Sequence, residues 1–151
     1  MAGGRVDRAE LPQGSSGRAL CRWCAIEVPA GRQTFCSAWC VHEWRLRSNP
    51  GYLREQVLLR DKGMCAGCGV DAVHAFHVLR RVRGARRAEL LARWGLTRMN
   101  RRSLWDADHI LPVAEGGGEC DLANLRTLCL KCHRQATQAL RERLRGGKGT
   151  G

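Results

Sequence analysis

Aromatic side chains are scarce in this chain of 151 residues: two phenylalanines, one tyrosine and five tryptophans, 5% in all. A chain of this size with so few large apolar groups builds a modest core, and gains from cross-links such as bound metals. No window of eighteen apolar residues exists, which excludes a membrane-spanning helix, and no membrane partner is expected. The first thirty residues lack an apolar core segment, so no secretory signal is expected. The expected location is cytoplasmic, and nucleoid-associated if the source is bacterial. Acidic residues are few as well, 14 against 26 Lys and Arg, for a net charge of +12. That balance favours a polyanionic partner, nucleic acid ahead of a membrane surface. A solvated basic surface in an Arg-rich chain is the alternative.

Cysteine is abundant. Nine cysteines in a reducing compartment read as metal ligands before disulfides. Cys65 and Cys68 form one pair with a two-residue spacer, and Cys129 and Cys132 form another, sixty residues on. That spacer lets both thiolates face one ion, so the two pairs can close a tetrahedral zinc site. Cys21, Cys24, Cys36 and Cys40 form a second set with spacers of two, eleven and three residues, the last fitting one helical turn. Two structural zinc ions are therefore expected. His42 is an alternative ligand to Cys40. Cys120 is left over, as a free thiol or a small packed residue.

The chain divides into a disordered tail over 1–18, a four-cysteine zinc module over 19–48, a main domain over 49–145 and a disordered tail over 146–151. The main domain carries a basic helical insertion over 72–102. Ser37 is a helix cap candidate, and Asn49 with Pro50 starts a second helix that Gly63 ends. Residues 72–94 read as helical, broken near Gly84 and stopped at Gly95. The run SLWDADHI reads as a strand, AEGGGE as a turn, and CLKCHRQATQALRERLR as the last helix. The tryptophans at 23, 39, 44 and 105 read as core rather than as base-stacking residues.

Beside the Cys129 pair lie Asp108 and His109, then Asn124 after fourteen residues and His133 after eight more. This constellation, with its cysteine pairs, resembles the HNH nucleases. The run SLWDADHILPVAEGGGECDLANLRTLCLKCH is similar to the nuclease module of annealing-helicase-type translocases and to stand-alone bacterial HNH proteins. The resemblance covers about residues 20–143. It implies a small α+β, zinc-stapled domain with a ββα-metal, treble-clef-like core, preceded by the four-cysteine module and helices. It implies hydrolysis of DNA phosphodiester bonds to 5′-phosphate and 3′-hydroxyl ends. His109 is then the general base, since imidazole titrates near neutral pH. Asp108 and His133 hold a divalent ion, and Asn124 fixes the geometry of the base or the ion.

Two features need a structural answer. In a regular strand Asp108 and His109 point to opposite faces, so the strand must kink or end there. Some members of the family also place a further histidine four residues after the His133 position, where this chain has Thr137. An Asp and a His, completed by water and phosphate, suit Mg²⁺ or Mn²⁺ better than a three-histidine zinc site would. Between Arg80 and Arg102 lie nine arginines and one acid, Glu89. Arg86, Arg87, Arg101 and Arg102 from this stretch, with Arg126, Lys131 and Arg134 beside the site, are the candidate DNA contacts.

Overall fold

Ser37 accepts a hydrogen bond from the Cys40 N–H at 3.1 Å, and that cap starts the first helix, α1, Ala38–Ser48. The computed structural model describes residues 6, 7 and 10–146. Asn49 caps the next helix in the same way, accepting from the Tyr52 N–H at 3.0 Å. That helix, α2, spans Pro50–Asp61 and is followed by Lys62 and Gly63, both with positive φ. Asp71 caps α3, Ala72–Arg81, and after a two-residue break α4 runs Gly84–Arg93. Strand β1, Trp105–His109, pairs antiparallel with β2, Leu125–Cys129, and α5, Leu130–Gly146, follows β2 without a loop. The expected elements are all present. The second strand that the ββα resemblance implies is β2, and the structure adds two single-turn 3₁₀ segments, Val113–Glu115 and Leu122–Asn124, on either side of the glycine turn.

The chain forms two units, 1–53 and 54–151, divided inside α2. In the first unit Cys21, Val28 and Cys40 are buried, with Trp23 and Phe35 packed against them. Trp39 departs from the core reading: it is 60% exposed and touches the edge of Trp23. Its position on α1 leaves one face to solvent. Residues 10–18, expected within the disordered tail, hold a turn in which Gln13 bridges Ala19 and the Ser16 N–H donates to Glu27 at 2.8 Å. Residues 1–5, 8, 9 and 147–151, the rest of the expected tails, lie outside the described residues.

The second unit is built around the hairpin. Val57, Leu79, Leu104, Trp105, Leu125 and Leu128 are buried, and α5 packs on both strands. Burying each such side chain stabilises the unit by roughly 1.5–3 kcal/mol before chain entropy is counted. The outer side of β2 is tied off at Thr127. Its N–H donates to Asp61 at 2.9 Å, and its carbonyl accepts from the Ala66 N–H at 2.8 Å. Arg60 donates to the carbonyls of Leu122 and Leu125, both at 2.6 Å. The end of α2 therefore fixes where β2 begins.

Candidate active site and zinc sites

The two cysteine sets each close into one cluster, with all four sulfurs within 4.8 Å of one another. The Cys24–Cys36, Cys36–Cys40 and Cys40–Cys24 separations are 3.4, 3.3 and 3.8 Å, and Cys68–Cys129 is 3.7 Å. A tetrahedron with Zn–S bonds of about 2.3 Å has edges of about 3.8 Å, so these sulfurs fit a zinc ion. The first pair in each cluster has the same backbone wiring. The Ala25 N–H donates to Cys21 O and the Gly69 N–H to Cys65 O; the Cys21 N–H donates to Ile26 O and the Cys65 N–H to Val70 O. The residue after each pair is left-handed, glycine at 69 (φ 72°) but alanine at 25 (φ 58°).

The thiols respond to this wiring. Burial alone would raise Cys21 and Cys65, but backbone N–H donors turned on each sulfur bring both down to about 6. The Cys40 and Cys24 thiols bonded to Cys36 push it up to about 12, and burial with the Cys129 thiol pushes Cys132 up. Four thiols so close cannot all lose their protons without a cation among them. His42 stands apart from the cluster, its Nδ1 2.7 Å from the Tyr52 hydroxyl, and Cys120 joins neither cluster.

Asp108 and His109 are successive residues of the ladder, opposite Arg126 and Leu125, and the ladder runs on through the Ile110 N–H, which donates to Asn124 O at 2.8 Å. Both residues line one cleft of about 430 Å³ with Arg126, Thr137 and Arg143. His109 Nε2 lies 2.9 Å from the carbonyl of Glu119. A carbonyl only accepts, so Nε2 carries the proton and Nδ1 keeps its lone pair.

Asn124 touches neither imidazole in its hydrogen bonds. Its Oδ1 accepts from the Leu111 N–H at 2.9 Å, and its Nδ2 donates to Leu111 O at 2.9 Å and Gly118 O at 3.1 Å. It closes the loop that carries Glu119, whose carbonyl holds His109. Gly117 sits inside that closure, where a Cβ would stand 1.8 Å from Leu111 O and 2.8 Å from Asn124 Nδ2. The sequence reading missed this glycine; the three-glycine run was its only signal.

His133 lies in the first turn of α5, its Nε2 3.7 Å from Asp108 Oδ1. Two donors about 2.0–2.1 Å from one small divalent ion stand on the order of 3–4 Å apart, so this oxygen and nitrogen fit a shared ion. The other Asp108 oxygen accepts from Arg126 Nε and Nη2 at 3.1 and 3.0 Å, across the hairpin. The sequence reading also missed Asp106. It lies two residues before Asp108 on the same strand face, 3.3 Å from His133 Nδ1. Arg101 holds it with two bonds of 2.6 and 2.7 Å.

The basic residues divide by what they touch. Arg134 is committed to the carbonyls of Leu130 and Trp94, tying α4 to α5. Arg87 donates to Leu79 O at 2.9 Å. Arg80, Arg83, Arg87, Arg101 and Arg102, with Phe76 and Met99, line one concavity of about 680 Å³. Lys131 and Arg86 are exposed. Among the described residues no helix is long and apolar enough to cross a membrane.

The HNH endonuclease family model matches residues 97–139. The DNA annealing helicase and endonuclease ZRANB3 of Mus musculus is 39% identical over 149 residues, covering 84% of this chain and 14% of that protein. Its Homo sapiens counterpart is 36% identical over 144 residues, covering 82% of this chain and 13% of that protein. The chain thus spans about a seventh of the length of these relatives. The crystal structure of the human ZRANB3 HNH domain superposes with a TM-score of 0.51 at 34% identity, covering 65% of this chain and 97% of that one.

Proposed function

Because the chain belongs to the HNH endonuclease family, we propose that it hydrolyses DNA phosphodiester bonds in the cleft at the end of β1, with His109 as general base. The observation that carries this reading is the shared cleft of Asp108 and His109, with His109 Nε2 fixed on Glu119 O and Nδ1 left basic. Water attacks phosphorus as Nδ1 takes its proton. The new P–O bond forms as the bond to the 3′ oxygen breaks. That oxygen leaves with the electron pair and is protonated from solvent, giving 5′-phosphate and 3′-hydroxyl ends.

Asp108 and His133 would hold Mg²⁺ or Mn²⁺, which when bound supplies Lewis-acid relief of the charge on the leaving oxygen. Asn124 acts one step back, by holding the loop that aims His109. Arg126, paired with Asp108, and Arg143, paired with Glu115, line the cleft and are the cations nearest to a phosphate bound there. The arginine concavity, with Lys131 and Arg86, grips the flanking backbone.

The test is a cleavage assay on plasmid and linear DNA with Mg²⁺ or Mn²⁺, wild type against His109→Ala. Wild type cuts, and the variant retains its fold and zinc but loses cleavage. Equal cutting by both would assign the activity to a contaminant and sink the reading.

A further inference from the structure

We propose that Asp106 is a positioning residue of the site: its carboxylate, 3.3 Å from His133 Nδ1, favours the proton on that nitrogen and so leaves the Nε2 lone pair on the Asp108 side. This rests on the reading of Asp108 and His133 as the residues that hold the divalent ion. The period of a strand puts Asp106 and Asp108 on one face of β1, and His133 faces both. Its two ring nitrogens divide between the two carboxylates, Nδ1 at 3.3 Å from Asp106 and Nε2 at 3.7 Å from Asp108. An ionised carboxylate only accepts, so the closer one selects the tautomer with the proton on Nδ1. That tautomer leaves Nε2 as the donor to a metal, the arrangement by which outer carboxylates orient ligand histidines.

Asp106 is itself held from behind. Arg101 grips it with both oxygens bonded, and Arg54 stands 3.6 Å away. Arg54 is fixed in turn: it stacks on Trp105 at 3.7 Å and donates to Ser103 Oγ and Trp105 O, both at 2.6 Å. A carboxylate with this backing cannot swing toward solvent without breaking two charged contacts. His133 has a fixed base of its own, because the preceding residue, Cys132, belongs to the zinc cluster. The ring is thus set from two sides, by the helix through Cys132 and by the strand through Asp106.

A competing role for Asp106 is to neutralise Arg101 and Arg54 alone, and the test separates the two. Zinc-loaded protein is titrated with Mn²⁺ by electron paramagnetic resonance. The tautomer of His133 is read by ¹⁵N NMR without added divalent ion, with His133→Gln to assign its signal. Asp106→Ala is expected to lower Mn²⁺ affinity 10–100-fold and to move His133 to a mixture of tautomers. Asp106→Glu should recover the greater part of both. An unchanged tautomer in Asp106→Ala, or no recovery in Asp106→Glu, overturns the proposal. Wild type that binds no Mn²⁺ would sink the ion-holding reading instead, while the tautomer still decides whether Asp106 orients His133.

Discussion

The side-chain amide of Asn124 brackets the peptide of Leu111, accepting from its N–H and donating to its carbonyl at 2.9 Å each. The loop between the strands is therefore closed like one more rung of the hairpin, made by a side chain. Glu119, whose carbonyl orients His109, lies within the same loop.

Loosening that closure should slow catalysis without unfolding the protein. Asn124→Ala removes three hydrogen bonds, and Gly117→Ala drives a methyl group into the Leu111 carbonyl. A displacement of about 1 Å at a reacting group costs on the order of 10²-fold in rate. Both variants should fall by about that factor in kcat while keeping their zinc content and far-ultraviolet dichroism. Full activity in Gly117→Ala would show that the loop does not set the base.

Zinc should be inseparable from the fold of the hairpin unit. Elemental analysis is expected to find two zinc ions per chain, matching the two clusters. Cys132→Ser should release one of them and unfold residues 54–151, because binding energy at such a site is folding energy. Identical melting curves for wild type and Cys132→Ser would refute the structural role.

The clasp between α2 and β2 gives stability a pH dependence. The Arg60 guanidinium bonded to Asp61, together with the Thr127 N–H, holds this carboxyl below the usual carboxylate range, against the opposing effect of burial. A depressed folded-state pKa contributes stability that is present above the unfolded-state value of about 4 and is lost as the pH falls through the lower folded-state value. Asp61→Asn should therefore be less stable than wild type by about 1–2 kcal/mol at pH 7. Urea titrations of the two proteins should show the gap constant from pH 8 to 5 and shrinking below pH 4. A gap that persists in acid would mean that charge is not its origin.

Binding should carry the mark of the arginine concavity. Arg83→Ala and Arg102→Ala, measured with a duplex in the His109→Ala background, should each reduce the slope of log K against log salt by about 0.9. Arg134→Ala should instead lower the melting temperature, since its guanidinium joins Trp94 and Leu130. Unchanged slopes in the first two variants would move the DNA path away from α3 and α4.

The sequence disclosed what local chemistry dictates. Cysteine spacing alone paired Cys65 and Cys68 with Cys129 and Cys132, because few arrangements of a two-residue spacer satisfy one ion. The caps at Ser37 and Asn49 were legible for the same reason: a cap is satisfied within four residues. Asp106 was not legible, because its meaning depends on which helix residue faces the strand. Strand β2 was implied by the resemblance alone, because LRTLC is short and carries no turn residue at its end, running straight into α5. Arg134, placed near the site by sequence, is tied by tertiary contacts to Trp94, forty residues away.

A two-stranded ribbon ordinarily has two open flanks, each a template on which another copy can polymerise. Here both backbone groups of Thr127, the middle residue of β2, are already taken by Asp61 and Ala66. A stray strand arriving on that side would meet no complementary peptide at its centre. The contacts that set the register of the hairpin thus also guard it against fibre growth along that flank.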